Sequence, residues 1–498
     1  MTAPVSLGID LGTSELKAVL FDATGAVLGH ARHELSVSRE HPGWAEQDPE
    51  DWWRACVAAL DQVRKISPAA YARVQCIGLA GQMHGAVLLD RRDTCLRRAI
   101  LWNDSRALGE ATALAERYPS FSEIIGSLPM AGFTAPKLLW LREHEPEVFE
   151  AVDCILSPKD YLRLRLTGER KTDVSDASGT SWLNVRERRW FEAMVQATGL
   201  ELRQLPMVLE SDEISGTLTA SAAGLLGLSA NTIVAAGGGD NPVSAVGVGA
   251  IDPGDAIINL GTSAAIASIA DRFIGNASTG VHGYCHALPN RWYAMGAILS
   301  GASALRWAAG LLSQPNEQAL LDRVSQDAPS ELPVAVSAPL FLPYLAGERT
   351  PHNDPLVRGA FLNLGYDTSA GLLGYAVLEG VGFALRDALR SVESTGAHVS
   401  TCSLVGGGAR SPYWAQLLAD ILGCELRSLS SSELSASIGA AKLGFAAQGL
   451  QPELLRAGRS VKAAYRPRPT HQAALHERYE RFRRLFPAAQ SLHDTQRK

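Results

Sequence analysis

The chain has 498 residues, 46% of them hydrophobic and 20% charged, with a formal net charge of -6. That length exceeds what one hydrophobic core organises, so two or more domains are expected, and the acidic balance excludes a basic surface for nucleic acid. The 7 cysteines are scattered and never spaced as CxxC, which excludes a disulfide framework and a zinc ribbon.

In chain order, the first basic residue is Lys17 and Asp10 interrupts the opening apolar run, so neither a signal nor a transit peptide is expected. No uncharged apolar stretch reaches the roughly 18 residues of a spanning helix, so no membrane partner and a cytoplasmic location are expected. Val5 to Ile9 reads as a strand, Asp10 to Ser14 as a small, polar turn, and Leu16 to Phe21 as a second strand, after which DATG leads into Ala26 to Leu28. Next come GLAGQMHGAVLLD, with Met83 and His84 between glycines after an apolar strand, and AILWNDSRA, with Trp102, Asn103, Asp104 and Arg106. Polar side chains at strand ends are placed to hold a small polar ligand, although a lone His there serves equally as a satisfied structural residue. In VAAGGGDNPVSAVGVG three glycines lead from a strand to Asp240 and Asn241. A carboxylate among residues with so little side chain can reach a bound hydroxyl; a helix N-cap is the other role open to it, and the two can coexist.

The second half begins with AIINLGTSAAIASIAD, which reads as strand Ala256 to Asn259, the turn LGTS, and strand Ala264 to Ile269. In the helix LLGYAVLEGVGFALRDAL, Leu378, Val381, Leu385 and Leu389 form one core-facing stripe. CSLVGGGARSPYWAQLLADILG reads as a buried strand, a glycine turn, Ser411 as N-cap, and a helix burying Trp414, Leu417, Leu418 and Ile421 before Gly423 ends it. Glycines there admit a ligand close to the backbone, or simply make a tight connection. Leu475, Tyr479, Phe482 and Phe486 form a last stripe, with the intervening arginines expected on a solvated face and the polar tail after Gln490 expected to be loose.

The tetrapeptide LGTS thus occurs twice, with strands on both sides each time and with Gly12 and Gly261 half the chain apart. A glycine followed by Thr-Ser between strands exposes N–H groups and hydroxyls in a concave turn suited to phosphate oxygens, while either copy alone serves equally as a plain hairpin. Two copies in one setting imply two related lobes, each offering a phosphate hairpin to a cleft between them. Neither GxxxxGK[ST] nor a GxGxxG after a strand is present, so the phosphate site belongs to another architecture. No His, Cys or carboxylate group has metal-ligand spacing such as HExxH.

Two phosphate hairpins, a later glycine cluster and an aspartate between lobes resemble the actin-like (ribonuclease H-like) ATPases, and specifically the FGGY family of carbohydrate kinases. Within that family the chain is most similar to the bacterial xylulokinase branch: GIDLGTS, WAEQDPEDWW, AGQMHGA, ILWND, GFTAPKLLWL, SPKDYLRLRLTGE, GGGDN, LPYLAGERTPHND and VGGGARSPYW occur in that order, and the resemblance covers nearly the whole chain. It implies an α/β fold of two actin-like ATPase lobes with a catalytic cleft between them. Residues 1–247 would form the lobe with the sugar site, first phosphate loop and catalytic Asp, and residues 248–498 the lobe with the second phosphate loop and adenosine site. The activity implied is phosphorylation of D-xylulose to D-xylulose 5-phosphate, with sugar, ATP and Mg²⁺ as partners and a homodimer as the assembly.

By the same resemblance Asp240 matches the catalytic base, and Asp10 the acidic residue near the phosphates and Mg²⁺, acting through water. Met83 and His84 match the sugar-contacting pair, Asn241 lies beside the base, and Trp102 and Asp104 match the sugar wall. Gly12, Thr13 and Ser14 match the first phosphate loop, Gly261 and Thr262 the second, and Gly407 and Gly408 the adenosine-side turn. An Asp of ordinary pKa, about 3.9, is ionised at neutral pH, so no tuning of the base is expected. Ser435 and Ser437 depart from the pattern, standing where many relatives have Gly and Pro, and are expected to bear on nucleotide affinity. Another ketopentose or polyol (ribulose, gluconate, glycerol) is the nearest alternative substrate, although QMHG favours xylulose. A non-metabolic actin-like ATPase switch is the distant alternative, and the early polar set Met83, His84, Trp102 and Asp104 argues against it.

Overall fold

The computed structural model describes residues 3–328, 334–430, 432–450, 452–456 and 460–493. Strand β1 (Val5–Leu11) turns through Gly12 to Ser14 into β2 (Glu15–Asp22), which turns again into β3 (Val27–Glu34). Every residue of β1 is buried, because β2 flanks it antiparallel on one side and β4 (Val74–Gly81) parallel on the other. A strand covered on both faces reads as a near-continuous apolar run, which is why Asp10 stands out in it. Beyond β4 lie β5 (Ile214–Thr217) and β6 (Ile233–Ala235), giving the order β5-β6-β4-β1-β2-β3. Gly238 and Gly239 add two more parallel rungs beside Ala80 and Gly81, then lead directly into helix α1 (Asp240–Gly247).

The second sheet repeats this plan. Strand β7 (Ala256–Leu260) turns through Gly261 to Ser263 into β8 (Ala264–Ala270), followed by the antiparallel strands β9 (His282–Cys285) and β10 (Trp292–Ile298). Helix α2 (Ala370–Glu393) precedes β11 (Thr401–Val405), which pairs parallel with β7. Helix α3 (Pro412–Leu422) leads to β12 (Glu425–Leu429), helix α4 (Ser435–Ala447) follows, and β13 (Val461–Tyr465) closes the edge. The path β3-β2-β1-β4-β6 in one sheet and β10-β8-β7-β11-β12 in the other share one sequence of antiparallel and parallel pairings. Gly12 and Gly261 therefore occupy equivalent hairpins, and the architecture is the expected two-lobed α/β fold.

Local signals are realised as read. Ser411 caps α3 by accepting the Trp414 N–H, and Gly423 ends it at φ 75°. Trp414, Leu417, Leu418 and Ile421 pack with Leu378, Val381, Leu385 and Leu389 of α2 in one core. The C-terminal stripe needs correction. Helix α5 (Pro469–Arg483) ends before Phe486, which lies in a following helix (Leu485–His493) and stacks on His352 at 3.6 Å. That helix includes Ser491 to His493, so the stretch after Gln490 starts helical, and residues 494–498 lie outside the described residues. Arg478, expected in water, is fully buried: its Nε and Nη2 donate to Glu379 of α2 at 2.6 and 2.5 Å, and its Nη1 to backbone carbonyls.

Helix α4 lies late in the chain but packs on the first sheet. A Cβ on Gly8 would stand 1.8 Å from the Ser437 carbonyl oxygen, and one on Gly78 1.7 Å from that of Ala440. Helix α4 also crosses α1, where Cβ atoms on Gly247 and Gly439 would meet the Ser435 and Val243 carbonyl oxygens at 1.8 and 1.9 Å. The backbones of Ser435 and Ser437 are therefore packed against α1 and the first sheet, and the Ser437 hydroxyl donates to Leu434 O at 3.0 Å. Among the described residues no helix is long and apolar enough to cross a membrane.

Candidate active site

Asp10 lies near the end of β1, opposite Lys17 of β2, and Asp240 opens α1. Gly239 occupies the N-cap position, so Asp240 is not the cap; its carboxylate accepts the Asn241 N–H at 2.7 Å and the Asn241 side-chain amide at 3.1 Å. The glycines before it permit close packing, since a Cβ on Gly239 would lie 2.7 Å from the Met83 side chain. Met83 is thereby pressed against the backbone that carries Asp240.

Burial pushes the Asp10 carboxyl up to about 6, with Lys17 opposing the rise. Burial pushes Asp240 up to about 7, and the charge of Asp10 adds to it. The expectation of an untuned base is therefore corrected: burial disfavours the ionised form of both carboxylates, and the charge of Asp10 raises Asp240 further. An all-oxygen donor set of this kind fits a hard cation such as Mg²⁺, with phosphate oxygens and water completing its shell.

His84 is held in an uncommon backbone state, φ 70°, with its ring stacked on Phe133 at 4.3 Å. Its carbonyl accepts from Thr134 Oγ1 at 3.2 Å and from Lys137 Nζ at 2.8 Å. Lys137 is fully buried, and that burial takes its pKa well below the usual value; it also donates to Ile100 O at 3.1 Å. Burial lowers the His84 ring to about 3, so the imidazole is neutral. Nδ1 lies 2.6 Å from the Gly179 carbonyl and so carries the proton, which leaves Nε2 as an acceptor.

The first hairpin is tied to this wall. Trp102 Nε1 donates to Thr13 Oγ1 at 2.9 Å, and Thr13 Oγ1 donates to Gln82 Oε1 at 2.9 Å. Gln82 in turn donates to Gln47 at 3.0 Å, and Gln47 to the Thr13 carbonyl at 2.8 Å. The Thr13 hydroxyl is thus engaged within the protein, while Ser14 stays exposed. Asp104 does not face the site: it is buried, and its oxygens take the Ala45 N–H and the N–H groups of Arg106 at 2.7 to 3.0 Å. It anchors the Trp102 loop from behind, a correction to its expected place on the wall.

In the second lobe, Thr262 is exposed, and the carbonyls of Gly261 and Thr262 accept the N–H groups of Ala302 and Gly301 at 2.7 and 2.9 Å. Gly406, at φ 94°, brings the Gly407 and Gly408 turn beside this hairpin: a Cβ on it would lie 2.6 Å from Leu260 O. Between α1 and the facing strands of the second sheet lies a small pocket lined by Asn241, Asn259, Ala265, Tyr293 and Met295 among others.

Several supporting residues carried no recognisable signal. Buried Lys159 contacts Asp160 and Asp173 at 2.5 and 2.8 Å; Asp173 accepts from Ser175 Oγ at 2.5 Å, which accepts the Gly239 N–H at 3.1 Å. That chain fixes the residue before Asp240. Lys137 and Lys159 belong to GFTAPKLLWL and SPKDYLRLRLTGE, segments whose spacing does not announce what they hold.

Comparison with known proteins places these features in a family. Residues 5–247 match the N-terminal domain, and residues 256–448 the C-terminal domain, of the FGGY family of carbohydrate kinases. A xylulose kinase of Escherichia coli (strain K12) is 44% identical over 482 residues, covering 96% of this chain and 98% of its own length. A crystal structure of a xyloylose kinase from Brucella ovis superposes with a TM-score of 0.94 at 42% identity, covering 98% of this chain and 100% of that one. A gluconate kinase from Lactobacillus acidophilus superposes with a TM-score of 0.90 at 27% identity, covering 98% of both chains.

Proposed function

The chain belongs to the FGGY family of carbohydrate kinases, and from that premise we propose that it transfers the γ-phosphoryl group of ATP to D-xylulose, forming D-xylulose 5-phosphate. The observation that carries this reading is the Asp240 carboxylate at the first turn of α1, hydrogen-bonded to Asn241, beside Asp10 and behind Met83. Phosphoryl transfer requires an attacking oxygen in line with the γ-phosphate and relief of the accumulating charge. Asp240 orients the terminal sugar hydroxyl and takes its proton as the O–P bond forms. Met83, His84, Asn241 and Trp102 hold the rest of the sugar, with His84 Nε2 accepting from a hydroxyl. Gly12, whose N–H closes the hairpin on Glu15 O at 3.0 Å, leaves the N–H groups of Thr13 and Ser14 in one hairpin, and of Gly261 and Thr262 in the other, to hold phosphate oxygens, and Gly407 and Gly408 give the adenosine a close approach. Mg²⁺ near Asp10, through water, would supply neutralisation of phosphate charge.

Relatives named as xylulose kinases favour D-xylulose, and the gluconate kinase of like fold keeps a different polyol as the second reading. A cytoplasmic homodimer completes the proposal; sedimentation as a monomer at working concentration would remove the dimer. The direct test is ADP release with Mg-ATP against D-xylulose, D-ribulose, L-ribulose, D-gluconate, glycerol and no sugar, for wild type and Asp240→Asn. Turnover should depend on D-xylulose and fall by about 10²-fold or more in the variant. Equal ADP release without sugar would instead favour an ATPase switch.

A further inference from the structure

LPYLAGERTPHND contributes to the family resemblance, yet no part of the proposed chemistry uses it. Its Arg349 lies in the second lobe, in a segment fixed on both sides. Glu348 Oε1 accepts the Leu299 N–H at 3.0 Å and the Arg349 N–H at 2.7 Å. The Thr350 N–H donates to Ala297 O of β10 at 3.0 Å, and its hydroxyl accepts the Ala297 N–H at 3.0 Å and donates to Gly280 O at 2.9 Å. The Arg349 side chain is partly buried, and among the described residues its guanidinium makes no hydrogen bond and no ion pair. The neighbouring carboxylate, Glu348, is turned to backbone N–H groups instead. All of its N–H donors are therefore free to meet an acceptor on a ligand.

Its surroundings identify what it serves. Thr350, the next residue, bonds Ala297 of β10, two residues from Met295, which pairs with His282 of β9, so Arg349 stands beside the end of β9 that carries His282 and Tyr284, within electrostatic reach of both and of His84. Those rings form one continuous wall across the lobes: His84 on Phe133 at 4.3 Å, Phe133 to His282 at 5.9 Å, and His282 on Tyr284 at 5.5 Å. The first lobe thus presents an acceptor, His84 Nε2, and the second presents a group with donors only. An α-hydroxyketone matches that pair, with its hydroxyl donating to His84 and its carbonyl, which can only accept, taking the guanidinium.

We infer that Arg349 is a specificity residue supplied by the second lobe, which hydrogen-bonds the ketone end of the sugar that the first lobe holds against His84. This rests on the sugar-kinase reading and adds to it the basis on which a ketose is told from its reduced polyol. It also makes sugar binding depend on both lobes at once.

The test is steady-state kinetics of the full chain, wild type, Arg349→Gln and Arg349→Lys, on D-xylulose, xylitol and D-arabinitol, with thermal melting as a check on folding. Loss of a charged hydrogen bond should raise the KM for D-xylulose about 10- to 100-fold in Arg349→Gln, with the KM for ATP within about twofold. The preference for D-xylulose over the two polyols should fall about tenfold, with Arg349→Lys recovering part of both losses. An unchanged KM for D-xylulose, or an equal loss on ketose and polyols, overturns the inference while leaving the kinase reading intact. If Arg349→Gln does not fold, Arg349→Lys decides by the same preference ratio. Absence of ketose-dependent turnover in wild type removes the kinase reading and this inference together.

Discussion

The carboxyl of Asp240, the proposed proton acceptor, is pushed up to about 7 by burial and by Asp10. Only the ionised form accepts a proton, so kcat/KM for the sugar should fall as pH drops below about 7, with a slope approaching one pH unit per decade. A flat profile down to about pH 5 would show that Asp240 is not raised in the free enzyme. The same shift has a consequence for stability. A carboxyl whose folded pKa lies above its unfolded value near 3.8 binds its proton more tightly when folded, so its contribution is favourable at low pH and is lost as pH rises through about 7. Asp240→Asn removes that loss. Its ceiling is about 4 kcal/mol, which partial solvent access reduces to about 2 kcal/mol. Calorimetry should therefore find the variant melting a few degrees higher than wild type at about pH 8, with a smaller gain at about pH 5. Equal gains at both values would mean that the substitution stabilises by something other than the charge. Sequence gave the position of this residue, through glycines and a following Asn, but not its ionisation, because Asp10 lies on a strand more than two hundred residues earlier.

At the scale of elements, the best-read pieces are those whose determinants are local. Both hairpins follow from a glycine and two hydroxyl residues between apolar runs, and α3 from Ser411 at one end and Gly423 at the other. The α2 and α5 pair shows what local reading misses. Arg478 is flanked by residues that suggest a wet helical face, yet Glu379, on an equally apolar helix, makes it a core residue. Breaking such a pair leaves an uncompensated buried charge, so Glu379→Gln should cost about 3 to 5 kcal/mol in denaturant unfolding. A cost below about 1 kcal/mol would place Arg478 in water, as its sequence context suggests. The site divides along the same line. Met83, His84 and Asn241 are found by motif; Lys137 behind His84, Gln47 and Gln82 behind Thr13, and Lys159 behind Gly239 act through contacts distant in sequence. Asp104 shows the same limit: its motif is visible, but Arg106 and the Ala45 backbone that close it off are apparent only once folded.

Across the whole molecule, the two lobes meet at crossed helices. Helix α4 rests on β1 and β4 of the first sheet, while Ala245 of α1 and Val248 just beyond it pack with Ile257 and Ala267 of the second. At the crossing the close contacts are backbone on backbone, Gly247 against Ser435 and Gly439 against Val243, and Lys442 Nζ donates to the carbonyls of Val246 and Gly247 at 3.0 and 2.9 Å. A contact without interlocked side chains permits small sliding and rotation, the shear by which packed helices let domains close. Since Asp240 opens α1, the crossing also sets where the proposed base stands when the lobes meet. Gly439→Ala puts a methyl group where the Val243 carbonyl lies 1.9 Å away, so α1 must shift. A misplacement of about 1 Å at reacting groups costs about 10²-fold in rate, so kcat should fall on that scale. Small-angle scattering separates this from simple unfolding: wild type should contract when D-xylulose and a non-hydrolysable ATP analogue are both added, and Gly439→Ala should contract less while remaining folded. Full contraction with normal kcat in the variant would move the pivot elsewhere, to the chain that joins α1 to β7.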